Sequence, residues 1–140
     1  MTEKFKVIGK YIKDMSSETP DLETYLFVKD YISKYQLGID ITSKPIKNQH
    51  IEVNTVLKFE DKTKNIKKSH FEITYSSVVK ISEEVKEKEE LQKIILCDVQ
   101  TKIYPNLEKA FLNLLHNSGY PDIKFEKKID FENLYNQRFN

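Results

Sequence analysis

The sequence predicts an α+β domain: four strands of an antiparallel sheet that packs on one side, followed by helices. Two observations carry this. Apolar residues alternate with polar ones through the first half, the period-two signature of a half-buried strand, and in the second half they recur every three or four residues, as along one helix face. Turn-formers separate the blocks, and strands followed by helices make an α+β order. At 140 residues the chain is read as one domain, residues 1–140, large enough to bury roughly 70% of the surface its unfolded form exposes.

Taken in order, Phe5-Lys6-Val7 to Tyr11-Ile12 reads as a first strand that ends in Asp14, two serines, Glu18 and Pro20. Residues 20–34, with Phe27 and Tyr31, read as a long connection crossing one end of the sheet. In the second strand Tyr35, Leu37, Ile39 and Ile41 alternate with Gln36, Gly38, Asp40 and Thr42. The third carries Ile51, Val53, Thr55, Leu57 and Phe59 on one side, and the fourth Phe71, Ile73 and Tyr75. The polar stretch DKTKN, residues 61–65, supplies the turn between them. Leu91, Ile94, Ile95 and Val99 then form a helical stripe. Pro105, which has no N–H to donate to the preceding turn, is expected to break or restart the helix. Leu107, Ala110, Phe111, Leu114 and Leu115 mark a second stripe that ends at Ser118-Gly119, with Pro121 beyond. Asp130 is placed to cap a short helix with Phe131, Leu134 and Tyr135.

Composition narrows the function classes. With 39% hydrophobic and 32% charged residues, the chain is too apolar for a disordered protein and too polar for a membrane protein. No apolar run approaches the roughly 20 residues that span a bilayer, and no signal-peptide core opens the sequence. The lone Cys97 excludes an intrachain disulfide framework and fits a reducing compartment, so a soluble cytoplasmic protein is expected. The net charge of +1 covers two clusters read as solvated surface: Lys62, Lys64, Lys67 and Lys68, and the block Glu83, Glu84, Glu87, Glu89 and Glu90.

No enzymatic or metal signature emerges, so no catalytic residue and no cofactor is expected. Gly9, Gly38 and Gly119 are scattered rather than gathered in a phosphate-cradling loop. His50, His70 and His116 are not spaced as metal ligands with Cys97, which lies in an apolar helical run and reads as a core thiol. Lysines near a hairpin tip with aromatic residues on a sheet are the ingredients of a nucleic-acid platform. The near-neutral charge and the single arginine, Arg138, argue against a backbone-tracking groove.

Three stretches together resemble the bacterial protein-export chaperone family SecB. Tyr11-Ile-Lys-Asp14 with Ser16, Glu18 and Pro20 is similar to its opening motif. Phe27, Lys29-Asp30, Tyr31, Leu37, Ile39, Asp40, Glu52-Val53 and Glu72 follow its middle strands without a gap. Ile103-Tyr104-Pro105, Gly119-Tyr120-Pro121 and Ile129-Asp130-Phe131 with Leu134-Tyr135 resemble its closing segments. The resemblance implies a four-stranded antiparallel sheet with helices packed on one face, assembled as a dimer of dimers. It implies a holdase without ATP that binds unfolded precursors in surface grooves and delivers them to the translocase motor SecA, with no membrane insertion. Carried over by position, the groove residues are Phe27, Tyr31, Tyr35, Leu37, Ile39 and Ile51, with Tyr31 where the family usually has Trp and Ile51 where it has Tyr. The SecA contacts are Asp14, Glu18 and Glu72.

The chain departs from the family in its near-neutral charge, in His70 where an apolar residue is usual, and in Val99-Gln100 where Cys-Pro is usual. The sequence ends at Asn140 without the family's polar tail. These departures point to an alternative client, the antitoxin of a toxin–antitoxin system, served by some SecB-like proteins.

Overall fold

The computed structural model describes residues 3–126 and 128–139. Four strands form one antiparallel sheet in the order β1-β4-β3-β2: β1 (Phe5–Glu18), β2 (Gln36–Ile46), β3 (His50–Glu60) and β4 (His70–Ile81). Helix α1 (Leu22–Tyr31) joins β1 to β2, and α2 (Lys88–Lys93), α3 (Val99–Asn117) and α4 (Phe131–Phe139) follow the sheet.

The strict alternation in β3 and β4 decides which face is covered. Phe59 pairs with Phe71, Leu57 with Ile73 and Ile51 with Val79, so these side chains share one face of the sheet. All six are buried, and Ile103, Leu107, Phe111 and Leu115 of α3 complete the same core at 0% exposure. Their spacing along α3 is that of one helical stripe. The opposite face carries Glu52, Asn54, Lys58, Glu72 and Thr74, which keep partial contact with solvent. Thr55 and Gln100 tie sheet to helix inside the core: the Thr55 hydroxyl donates to Gln100 Oε1 at 2.8 Å, and Gln100 Nε2 donates to the Ile95 carbonyl at 3.2 Å.

Three features differ from the sequence expectation. The first strand does not stop at Ile12 but runs to Glu18, pairing with β4 along its whole length. The connection over residues 20–34 is largely helix. Asp21 caps α1 by accepting the Thr24 N–H at 2.8 Å, and Thr24 and Val28 are its buried residues. Pro105 does not interrupt α3. It lies on the exposed side of the helix with Thr101, whose carbonyl it leaves unbonded, and water can satisfy that group. A π-helical turn, Ile94–Asp98, joins α2 to α3 with helical backbone on both sides. The Thr101 hydroxyl donates to the Cys97 carbonyl at 2.8 Å at the end of that turn. Asp130 caps α4 as expected, accepting the Asn133 N–H at 3.0 Å.

Candidate functional site

Two bulges in β1 decide where its carboxylates point. The β1–β4 register shifts between Val7 and Gly9 and again between Ile12 and Asp14. Ile12 stands opposite Tyr75, on the helix side. Without the second shift, Asp14 would lie on that side too. The extra residue, Lys13, reverses the alternation, so Asp14, Ser16 and Glu18 stand opposite Thr74, Glu72 and His70 on the solvent face. Asp14, Glu18 and Glu72 therefore share one face on two adjacent strands. Asp14 and Glu18 are about 13 Å apart along β1, with Glu72 across from the midpoint between them.

Glu72 is held in place rather than free. Lys58, its register partner on β3, brings Nζ to 3.5 Å of the carboxylate, and His70 Nε2 lies at 3.9 Å. Asp14 and Glu18 are exposed. On the same face Lys13 reaches Glu52 at 2.7 Å, and that hydrogen bond holds the Glu52 carboxyl below its ordinary range. At these exposures such pairs orient side chains more than they add stability.

The apolar candidates, with Ile41 beside them on β2, divide into three groups. Leu37, Ile39 and Ile41 on β2 face the helix side opposite Phe59, Leu57 and Thr55, but β2 is an edge strand and these three stay half-buried. Phe27 and Tyr31 stack on one side of α1, ring centroids 5.5 Å apart and 19° between planes, with Phe27 38% exposed and Lys34 Nζ 5.2 Å from the Tyr31 ring. The covered pair is Tyr35 and Ile51, at 6% and 9% exposure. Tyr35 packs on Phe59 and Phe71, and its hydroxyl accepts the Ser69 N–H at 3.0 Å. In this chain both side chains are core, with little surface to offer a ligand. Leu22 and Leu26, 69% and 53% exposed, extend the apolar surface of α1, and only their i, i+4 spacing in the sequence hints at it.

Nothing in this arrangement resembles an active site. Burial pushes the Cys97 thiol up in pKa, the opposite of an activated nucleophile. Among the described residues, no group of three or more His, Cys, Asp or Glu is placed to hold a metal ion. No described helix is long and apolar enough to cross a membrane. An open cleft along β1, lined by Lys6, Ile8, Lys10 and Lys102, lies away from both candidate surfaces.

Residues 1–140, the whole chain, match the family profile described as preprotein translocase subunit SecB. The chain belongs to the SecB family. A SecB relative from Pelagibacter ubique (strain HTCC1062) is 66% identical over 140 residues, covering 100% of each chain. The protein-export protein SecB of Bartonella bacilliformis is 22% identical over 134 residues, covering 96% of this chain and 82% of its own. Among solved structures, the SecB-like chaperone of Mycobacterium tuberculosis, in complex with a peptide from an antitoxin, superposes with a TM-score of 0.65. It covers 90% of this chain and 91% of its own at 9% identity, a likeness of fold. SecB proteins are export chaperones and not enzymes.

Proposed function

We propose that this SecB-family chain is an ATP-independent holdase of the cytoplasm that keeps export-destined precursors unfolded and passes them to SecA. The observation that carries the reading is the division of the sheet into two faces. The half-buried row Leu37, Ile39 and Ile41 lies on the helix side at the open β2 edge, and the stacked Phe27 and Tyr31 precede it in the chain. Asp14, Glu18 and Glu72 lie on the other face. A client and a basic motor surface could then be held at once.

An unfolded segment brings apolar side chains and unpaired backbone groups, and the β2 edge and its apolar margin suit both. Apolar contact gains about 25 cal/mol per Å² covered, so each site is weak and several copies acting on one client supply the affinity. The dimer of dimers expected for the family would provide those copies. The long edge strand β1, with Ile8, Tyr11, Ile12 and Met15 each 45–49% exposed, is the surface suited to pairing with a second copy. The near-neutral charge and His70, beside Glu72, favour a second reading in which the client is an antitoxin and SecA is not engaged.

Light scattering of an unfolded, reduced client without ATP tests the reading. The chain should suppress aggregation near stoichiometric ratio, and Phe27→Ala with Leu37→Ser should weaken suppression about tenfold or more. Reversing Asp14 and Glu72 to lysine should remove SecA binding and spare suppression, since charged rims act on encounter and specificity. Suppression by the parent chain without any SecA binding would select the antitoxin reading. No suppression, with binding of single-stranded nucleic acid instead, would reject both.

A further inference from the structure

The loop between β3 and β4 presents an aliphatic side chain to solvent amid a cluster of lysines. Four of the seven residues 62–68 are lysines, and Ile66 among them is 97% exposed. The next most exposed large hydrophobic residue described, Leu22, reaches 69%. Ile66 is not at the end of a loose segment. The Asp61 carboxylate accepts the Thr63 N–H at 2.8 Å and Asn65 Nδ2 at 3.0 Å, and Lys68 Nζ donates to the Thr63 carbonyl at 2.6 Å. The loop is also anchored to the core, where the Ser69 N–H donates to the Tyr35 hydroxyl at 3.0 Å.

The surroundings add a further apolar side chain and charges of both signs. Lys67 meets Glu23 at 3.1 Å, which brings the first turn of α1, with the exposed Leu22, beside the loop. Phe125 packs on Phe59 at 5.6 Å and so brings the exposed Lys124 and Glu126 to this end of the sheet, a pair without net charge. Lys62 and Lys64 are exposed and make no ion pair among the described residues. The one carboxylate within the loop, that of Asp61, is buried and occupied by the turn.

We propose that this loop is a contact for the surface of a bilayer containing anionic lipid: Ile66 enters the boundary between headgroups and acyl chains, while Lys62 and Lys64 lie against the phosphates. An apolar side chain surrounded by lysines is the combination that such an interface rewards. It accepts a lone isoleucine without a shaped pocket, which a protein partner would have to provide. Nucleic acid fits less well, because residues 61–69 hold no aromatic ring to stack on a base and no arginine. The contact would be peripheral and reversible, and it would rest a chaperone against the surface its family's clients must cross. It does not depend on whether SecA docks at Asp14 and Glu72.

The chain has no tryptophan, so Ile66→Trp places a single reporter in the loop. Its emission should shift to the blue, and be quenched by brominated acyl chains, on vesicles of phosphatidylcholine mixed with phosphatidylglycerol, but not on phosphatidylcholine alone. In flotation of the tryptophan-free chain with the same mixed vesicles, Lys62→Glu with Lys64→Glu should weaken binding about tenfold or more. Ile66→Ser should weaken it while leaving the circular dichroism spectrum unchanged. Absence of a blue shift on the mixed vesicles at low salt would overturn the proposal, as would equal flotation of the double-glutamate variant. A shift with polyuridylate but not with vesicles would assign the loop to nucleic acid instead.

Discussion

Gly119 and Tyr25 stand so close that a Cβ on the glycine would lie 2.6 Å from Tyr25 Cε1. The Tyr25 hydroxyl donates to the Gly119 carbonyl at 3.1 Å, and its ring lies 5.6 Å from that of Tyr120. Gly119 has φ of 110°, a left-handed conformation that follows the end of α3. This contact fixes α1 against the end of α3, and α1 carries Phe27 and Tyr31.

Gly119→Ala should therefore destabilise the chain by about 1–3 kcal/mol, from backbone strain and the clash together. Urea unfolding measures it. Replacing Tyr25 with Leu in the same background should relieve only the clash and recover part of the loss. Because α1 is loosened, client binding by the Gly119→Ala chain should fall even where the protein remains folded.

The limits of sequence reasoning show at particular residues. Ile51 to Phe59 and Phe71 to Tyr75 alternate without interruption, and every expected inward position there is buried. β1 defeats strict alternation, because its two bulges are set by pairing with β4; Gly9 is a local mark of the first, but the second, at Lys13, has none. The family resemblance could nominate Asp14 and Glu18, but only the register places them on Glu72's face. α1 shows no one-sided stripe in the sequence, because its apolar residues surround the helix: Val28 points inward, and Leu22, Leu26 and Phe27 outward. Position alone likewise could not tell Tyr35, packed in the core, from Tyr31 at its margin.

The Asp61 turn gives a pH dependence with a defined sign. Burial pushes the Asp61 carboxyl up, but hydrogen bonds from Thr63 and Asn65 outweigh it and hold the group below its ordinary value of 3.8. A carboxyl depressed on folding contributes stability above its unfolded pKa and loses it as pH falls through the folded one. The loop should thus be intact at neutral pH and released only below pH 3.8. The Thr63 amide proton reports this by NMR: its shift should move with a midpoint below that value. In Asp61→Asn the transition should vanish.

The Thr55–Gln100 pair tests how sheet and helix are joined. Both residues are 0% exposed, and the Thr55 hydroxyl donates to Gln100 Oε1 at 2.8 Å. Thr55→Val keeps the shape of the side chain and removes the donor, leaving a buried amide oxygen without it; the cost should be about 1–3 kcal/mol. Gln100→Leu removes the acceptor and also frees the Ile95 carbonyl, which Gln100 Nε2 serves at 3.2 Å. The double variant should lose less than the sum of the two, because neither polar partner of the Thr55–Gln100 bond is then stranded. A coupling of about 0.5–3 kcal/mol in a double-mutant cycle is expected for residues in one network. Strict additivity would mean that the bond does not link β3 to α3 energetically.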